Sequence, residues 1–381
     1  MEIQRALVLT AIAVVTYMMI LAWQRDYSDL PEAPSSVASQ QQPAADIPEA
    51  NDETVTAQEA GAVPSEQDIP AAGDTASLPE ADTTPTTTSA NMEVLVKTDV
   101  MTAVIDRRGG DITHVELPQY PRSAATPDIP MTLLEQSALR TYIAQTGLVG
   151  KNGTDTQDGR PTWSSEQSTY TLSPPASELN VDLTLYQEGN VKIIKRYTFT
   201  RDSYLVRISH IIINNGSEVW QGALYGQLRR DGTDDPSMNN AGFVPMPTYL
   251  GGAYWTEEKP FNKIDFEDIR EEPIKMQQQG GWIALLQHYF VSAWIPDPVE
   301  KNTYSTVYLP NKNEYLLRFV SPAEKVQPEQ QSVLYAELYM GPKDQDVLES
   351  ISPGLNMTVD YGWLWFIAQP IFAVLVFLQS G

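Results

Sequence analysis

The chain contains no cysteine and only three histidines among its 381 residues. Without cysteine it can form no disulfide framework, no redox pair of cysteines and no thiolate metal site, and three histidines leave few ligands for zinc. Basic residues are also scarce, with 25 Lys and Arg against 49 Asp and Glu and a formal net charge of −24. Because nucleic-acid binding needs clustered Lys and Arg, this composition argues against a nucleic-acid partner.

The acidic charge is concentrated in one stretch, residues 26–90. This stretch holds thirteen Asp or Glu and no Lys or Arg, and it is rich in Ala, Pro, Ser, Thr and Gln. Such a composition cannot bury enough apolar surface to offset the entropy of ordering, so it predicts a disordered acidic tether. A coil of this length reaches roughly 40–50 Å.

The tether follows an apolar N-terminal segment, residues 1–25. Its uncharged run from Ala6 to Trp23 has 18 residues, about the length that spans a bilayer as a helix. A cleavable signal peptide is the alternative, but no pair of small residues follows the run. The segment is therefore interpreted as a signal anchor, with Trp23 near the interface. Arg5 before the run gives a weak preference for a cytoplasmic N-terminus.

Residues 91–343 show the period-two alternation of strands. Three alternating runs occupy 93–98, 100–106 and 112–117, and seven more follow, among them "NVKIIKRYTFT" and "YLVRISHIIIN". The pair Gly109 and Gly110 can supply the positive φ of a hairpin turn. Many consecutive strands without a linker-like break predict a mostly β fold, one large antiparallel sandwich of two sheets.

Three longer connections interrupt the alternating pattern. Residues 151–161 and 229–247 carry several acids without the ligand spacing of an EF-hand, so solvated loops are favoured over calcium sites. Residues 259–275 mix charge with two phenylalanines. This segment is interpreted as an exposed edge, with a partner contact as the alternative.

A sandwich of this size also fits carbohydrate chemistry, which needs an acid and a base facing each other across a cleft. The candidates are the three histidines and nearby carboxylates: His114, His210, His288, Glu116, Asp182 and Glu337. The two strand histidines are assigned to polar or variable positions and the third lies in an apolar run, so a structural role is favoured for each. No GxSxG, P-loop or HExxH motif occurs, and no cofactor, metal site or catalytic residue is predicted.

The end of the chain combines a short helix with an uncharged aromatic segment. Residues 344–357 are predicted to form a short helix and connector, with Pro353 and Gly354 ending the helix. Residues 358–381 carry no charge after Asp360. Their aromatic cluster suits a membrane–water interface, together with the Trp at the end of the first segment: Tyr361, Trp363, Trp365, Phe366 and Trp23. An interfacial helix, the start of a second span and a buried closing helix are the three alternatives.

Five stretches resemble one family from end to end of the chain. They are "QRALVL" near the start, "VKTDV" (96–100), "RGGDI" (108–112), "GGWIALLQHYFVSAWIP" (280–296) and "TVDYGWLWFIAQP" (358–370). In this order they resemble the YidC/Oxa/Alb family of membrane protein insertases, of the Gram-negative type with a large periplasmic domain.

The resemblance implies a function and a location for each segment. The family has a cytoplasmic N-terminus, an inner-membrane anchor and a periplasmic β-supersandwich similar to galactose mutarotase. A surface helix and five core helices follow, and these core helices guide nascent membrane proteins into the bilayer. The family works alone or with the Sec translocon, whose accessory protein SecF contacts the periplasmic domain. The implied partners are inner-membrane lipids, nascent membrane proteins and Sec components.

The chain departs from the family pattern at its C-terminus, because the core helices would follow Gly381. The sequence leaves open whether this is a fragment or a natural truncation, and the expectation is that this chain alone does not insert proteins. Two other functions stay open: a membrane-anchored periplasmic sandwich that binds carbohydrate or acts as a mutarotase, and a purely structural interaction module. A mutarotase-like fold does not by itself imply mutarotase chemistry.

Overall fold

The computed structural model describes residues 92–123, 126–156, 159–233 and 249–359, and these form two large β-sheets. The first sheet contains eleven strands: β1 (Glu93–Lys97), β2 (Thr102–Asp106), β3 (Asp111–Ser123), β4 (Thr126–Gln136), β5 (Thr141–Val149), β7 (Thr169–Thr171), β11 (Trp220–Asp231), β14 (Lys275–Gln279), β17 (Lys301–Leu309), β18 (Glu314–Val320) and β19 (Glu324–Val326). The second sheet contains nine strands: β6 (Ser164–Ser165), β8 (Glu178–Gln187), β9 (Val191–Thr200), β10 (Leu205–Asn214), β12 (Gly251–Tyr254), β13 (Asn262–Ile264), β15 (Ile283–Leu286), β16 (Phe290–Pro296) and β20 (Gln330–Pro342).

Almost all strand pairs are antiparallel. The first sheet runs in the order β14-β17-β18-β11-β5-β4-β3-β2-β1-β7, with β19 added beside β11. The second runs β13-β12-β15-β16-β20-β10-β9-β8-β6. Within the described ranges, only β1 and β7 pair in parallel. The prediction of a mostly β, antiparallel sandwich is confirmed.

The sandwich core forms because alternating strands turn one apolar face toward the opposite sheet. Along β9 every second residue is buried, so Ile193, Tyr197 and Phe199 face inward. Burying one such side chain contributes roughly 1.5–3 kcal/mol. The β2–β3 connection spans residues 107–110, where Gly109 and Gly110 have φ of 76° and 66°. The predicted positive φ at both glycines is confirmed.

A second apolar cluster lies on the outer face of the second sheet. Every residue of β16 is buried: Phe290 and Trp294 join the central core, whereas Val291, Ala293 and Ile295 join the outer cluster. A strand with apolar side chains on both faces must be covered by other residues on both faces. The chain's own C-terminal residues provide the outer cover.

Two α-helices and one 3-10 helix are present among the described residues. Helix α1 (Phe266–Glu271) begins with a capping box, in which the Asp265 carboxylate accepts from the amides of Glu267 and Asp268. The segment before it, β13, is an edge strand of the second sheet, as predicted for this region, but alternation gave no sign of α1. Helix α2 (Gln345–Ile351) begins at the N-cap Asp344 and ends before Pro353. It confirms the predicted short helix.

The predicted anchor (1–25), the tether (26–90) and almost all of the aromatic segment lie outside the described residues. The same holds for Trp23, Tyr361, Trp363, Trp365 and Phe366. In the part of the chain that is described, no helix is long and apolar enough to cross a membrane.

Candidate functional site

A cluster of charged and polar side chains lies between the two sheets; we call it the central polar cluster and define it as Asp111, Asp155, Arg160, Lys195 and Tyr225. Lys195 lies on β9 at an inward position and is fully buried. Its Nζ donates to three carbonyl oxygens of the opposite sheet, those of Gly109 at 2.9 Å, Gly110 at 2.8 Å and Thr146 at 2.7 Å. This one side chain therefore ties the second sheet to the β2–β3 turn and to β5.

The other members of the cluster form a branched hydrogen-bond network around Arg160. Its guanidinium forms an ion pair with Asp111, and its Nε donates to Asp155 at 3.1 Å. The Tyr225 hydroxyl donates to the same Asp155 carboxylate at 2.5 Å. Gly109 fits against this network only because it lacks a side chain: a Cβ there would lie 2.5 Å from Cζ of Arg160.

Burial and the charges of neighbouring groups together set the pKa values in the cluster. Burial lowers the pKa of Lys195 to about 7, although Asp111 and Asp155 act in the opposite direction. Burial raises the pKa of Tyr225 well above its usual value. For Arg160, burial alone would lower the pKa, but Asp111, Tyr225 and Asp155 outweigh it and hold the pKa above the usual range.

The geometry assigns the cluster a structural task. Perturbed ionisable groups also mark active sites, but a general acid or base must come within hydrogen-bond reach of a substrate. Lys195 is fully enclosed and the Asp155 side chain is 0% exposed. The cluster therefore serves as a polar cross-link between the sheets.

Two residues of the central polar cluster contradict the sequence prediction for residues 151–161. Residues 151–161 were expected to form a solvated loop, yet Asp155 and Arg160 from this segment turn inward to meet Asp111 on β3. The local sequence could not reveal this, because Asp111 is remote along the chain. Lys195 carried a signal that was missed: it occupies the inward phase of an otherwise apolar alternation.

The three histidines lie in three different environments, and one of them contacts a candidate carboxylate. His114 on β3 contacts Glu116 at 3.2 Å and is partly exposed. His210 on β10 is completely buried, so its assignment to a polar or variable position was wrong. His288 lies in the β15–β16 turn with its ring against that of Tyr289.

The remaining candidate carboxylates have structural partners of their own. Asp182 binds Arg196 at 2.7 Å, and Glu337 binds Arg207 at 2.8 Å across the β10–β20 pair. Burial lowers the pKa of His210 well below its usual value, which keeps this ring neutral in the core. Among the described residues, no group of three or more His, Asp or Glu side chains could hold a metal ion.

Besides the central polar cluster, the fold contains a C-terminal junction, which we define as α2, the 3-10 helix Leu355–Thr358 and Val359. It packs on the outer face of the second sheet, where Leu348 and Leu355 are fully buried against β15 and β16. The indole Nε1 of Trp282 donates to the carbonyl of Pro353 at 3.0 Å. Gly354 turns the chain with φ of 74°, and a Cβ there would lie 2.5 Å from the carbonyl oxygen of Pro260. The junction is thus held by apolar packing, a hydrogen bond and a close backbone approach.

Sequence comparison identifies relatives along the whole chain. The insertase of Alcanivorax borkumensis, named Membrane protein insertase YidC, is 56% identical over 393 aligned residues, which cover 100% of this chain and 65% of that protein. The protein of the same name from Pseudomonas fluorescens is 42% identical, with coverage of 100% and 65%. The chain therefore spans about 65% of the length of these relatives. Both are named as insertases and not as enzymes.

Solved structures with a similar arrangement of strands are distant in sequence. A galactose mutarotase related enzyme from Lactobacillus acidophilus is 10% identical, with a TM-score of 0.40 and coverage of 66% of this chain and 97% of that one. A galactose mutarotase-like protein from Lactobacillus casei is 8% identical, with a TM-score of 0.46 and coverage of 65% and 100%. At this distance the likeness carries no inference about chemistry.

The fold and the junction define a large antiparallel β-sandwich domain whose C-terminal helices are part of its own packing. The family model of the YidC periplasmic domain matches residues 93–374. The chain belongs to this family, as its five characteristic stretches indicated.

Proposed function

We propose that this chain is the anchored periplasmic part of a membrane protein insertase, which helps integral inner-membrane proteins to insert, fold and assemble. The observation that carries the proposal is the 56% identity over the whole chain to the Alcanivorax borkumensis insertase. In this proposal the chain resides in the bacterial inner membrane with its N-terminus in the cytoplasm. Residues 1–25 anchor it, residues 26–90 form a tether, and residues 91–343 lie in the periplasm.

In this proposal the C-terminal junction connects the sandwich to the aromatic segment. Residues 344–357 dock on the sheet, and residues 358–381 follow as an interfacial helix or as the start of a second span. Aromatic residues would hold this segment and the anchor at the membrane surface: Trp23, Tyr361, Trp363, Trp365 and Phe366. The tight packing of Leu348 and Leu355 supports a junction that is fixed on the sandwich.

The partners follow from the same proposal. They are inner-membrane lipids, nascent membrane proteins and the Sec translocon with SecF, and insertion proceeds alone or beside that translocon. The chain is not an enzyme and uses no cofactor. A mutarotase-like activity is the weaker alternative, because His210 is buried in the core and Asp182 and Glu337 each pair with an arginine.

A reconstitution experiment tests the proposal. Three proteins are placed in lipid vesicles: this chain, this chain extended after Gly381 by the C-terminal third of the Alcanivorax borkumensis relative, and that C-terminal third alone. The readout is protease-protected insertion of a small single-span protein that depends on the whole relative. We expect insertion by the extended protein and none by the chain alone.

The complete relative is the positive control in the same vesicles. Failure of the extended protein, with the complete relative active, would contradict the assignment as the matching part of an insertase. Insertion by the 381-residue chain alone would contradict the expectation that the C-terminal third of the relative is needed.

A further inference from the structure

The strand β8 has an outer edge that is paired over only part of its length. On one side it pairs with β9 from Glu178 to Gln187. On the other side it pairs only with β6, where Ser164 lies opposite Thr184 and Ser165 opposite Leu183. Among the described residues, no strand pairs with this side of β8 beyond Thr184. The main chain at the end of this edge, around Tyr186, is therefore without a pairing strand.

The chain that precedes β6 leaves β8 to pair with the other sheet. Continued in the register of β6, Thr162 would lie opposite Tyr186. Instead, Thr162 forms a β-bridge with Arg108. The flanking bonds run the same way, from the amide of Gly109 to the carbonyl of Pro161 and from the amide of Trp163 to the carbonyl of Arg107, both at 2.8 Å. The place beside Tyr186 that β6 would have filled is left without a strand.

The open edge presents main-chain groups in the right direction. The carbonyl of Thr184 accepts a hydrogen bond from Oγ of Ser164, at 2.8 Å, and so points toward the β6 side. Main-chain groups of alternate residues in an antiparallel strand point to the same side. The N–H and C=O of Tyr186 consequently face the same open side and can pair with an added strand.

A groove of about 610 Å³ lies at this position. Leu185, Val191 and Trp220 give it an apolar lining, of which Trp220 is 2% exposed and Val191 7%. At the rim, Tyr186 is 73% exposed and Val219 38%. Exposed apolar side chains beside an unpaired sheet edge are features of a binding surface.

The walls of the groove are held in place by hydrogen bonds. The side chain of Gln187 donates to the carbonyl of Asn152 at 3.2 Å and accepts from Nε1 of Trp220 at 3.2 Å. One residue of β8 thereby fixes both the 151–154 wall and the 217–220 wall. Because the groove is already formed before binding, less conformational entropy is lost when a ligand binds.

The charged groups that line the groove favour a cationic ligand. Two carboxylates, Glu188 and Glu218, and one ammonium, that of Lys151, belong to the lining of the groove. The ammonium of Lys192 lies beyond that lining, 5.8 Å from the ring centroid of Tyr186. Both acids are exposed, so their field acts on an incoming chain through solvent.

From this geometry we propose that the groove binds an extended polypeptide segment as an added strand on β8. The segment pairs through its main chain with Tyr186, places apolar side chains toward Leu185 and Trp220, and carries Lys or Arg at its ends. This is strand addition, in which the backbone ladder gives affinity and the pockets on alternate residues give selectivity. The proposal does not depend on the insertase function.

The test uses the full chain in detergent micelles and a fluorescein-labelled pentapeptide, Arg-Val-Thr-Val-Lys. Saturable binding is measured by fluorescence anisotropy. The matched peptide carries one N-methyl group on its central amide, which removes a donor to β8 without changing charge. We expect this peptide to bind about three- to tenfold more weakly, the range that corresponds to one hydrogen bond. A peptide with Glu at both ends should also bind more weakly.

Variants of the chain give an independent readout. Tyr186→Pro removes the amide that the added strand needs, whereas Tyr186→Ala keeps it. We expect the proline variant to lose binding about tenfold relative to the alanine variant, and Glu188→Gln with Glu218→Gln to lose binding several-fold at low salt. Equal binding of the N-methylated peptide, or no saturable binding by the unaltered chain, would overturn the proposal. The peptide comparison decides the matter even if the proline variant does not fold.

Discussion

The buried lysine of the central polar cluster makes a sharp prediction about stability and pH. Burial lowers the pKa of Lys195 from 10.5 to about 7 in the folded chain. Between these two values the unfolded chain holds a proton that the folded chain has released. The free energy of unfolding must then rise with pH through this window, because the unfolded state binds more protons. Lys195→Met removes the effect.

The expected size follows from the two pKa values. From pH 7.5 to 9.5 the unaltered chain should gain about 2–3 kcal/mol of unfolding free energy relative to Lys195→Met, close to 1.4 kcal/mol per pH unit. Near the top of this window Tyr197 and Tyr225 begin to ionise in the unfolded state only, since their unfolded pKa is 10.0 and burial raises it in the folded chain. This contribution is common to both proteins and cancels in the comparison.

The variant should fold, because each carbonyl that Lys195 binds keeps a second donor. Arg160 donates to the carbonyls of Gly109 and Thr146, and the Tyr197 hydroxyl donates to that of Gly110. In the assay window the folded Lys195 is a neutral amine with two N–H donors, so its replacement removes at most two hydrogen bonds, about 2 kcal/mol in total, and leaves no carbonyl without a partner.

The assay is urea unfolding of the full chain in detergent, followed by tryptophan fluorescence at several pH values. Lys192→Met is the matched control, since it removes a lysine from the opposite face of the same strand. Its curve against pH should run parallel to that of the unaltered chain, whereas the Lys195→Met curve should lie flatter. Parallel curves for all three proteins would refute the argument that burial lowers the pKa of Lys195.

Three further predictions concern the core, the junction and the membrane segment. Since burial lowers the pKa of His210 below 6.5, His210→Leu should make stability less sensitive to acid, by up to about 1.4 kcal/mol per pH unit below 6.5 in urea unfolding; an unchanged acid profile would contradict this. Leu348→Ala should destabilise the junction by about 2–4 kcal/mol and speed amide exchange in α2, whereas the exposed neighbour Val347→Ala should change it little. In vesicles of brominated lipid, Trp363→Phe with Trp365→Phe should remove much of the tryptophan quenching; full quenching in the double variant would argue against an interfacial segment.

The sequence predicts the sheet architecture well wherever strands bury a single face. Alternation in "NVKIIKRYTFT" locates β9 and its inward side chains, and the paired glycines locate the β2–β3 turn. His210 was misplaced although Val206, Ile208 and Ile212 set the inward phase on which it lies. His210 was assigned to a polar position because histidine is a polar residue, although its place in the alternation is an inward one.

Other features depend on contacts that local sequence does not encode. Asp155 and Arg160 read as loop residues, and only the fold brings them to Asp111. Helix α1 begins from a capping box of two acidic residues, Asp265 and Asp268, in a segment without helical periodicity. The groove beside Tyr186 arises because residues 161–163 pair with the other sheet, which no pattern within β8 reveals.

The packing of the C-terminal junction also sets how freely the sandwich can turn. Val359 still packs against the outer cluster, and the sequence then passes through Asp360 to Tyr361. If the residues after Val359 are held at a surface, as proposed, the docked junction offers no long flexible connection between Leu348 and Val359 on which the sandwich could turn. A force on the sandwich, for example from a bound partner, would then be transmitted to the residues after Val359. A flexible linker in the same place would not transmit it. Lengthening the chain at Asp360 by glycines should therefore give the sandwich more rotational freedom without unfolding it.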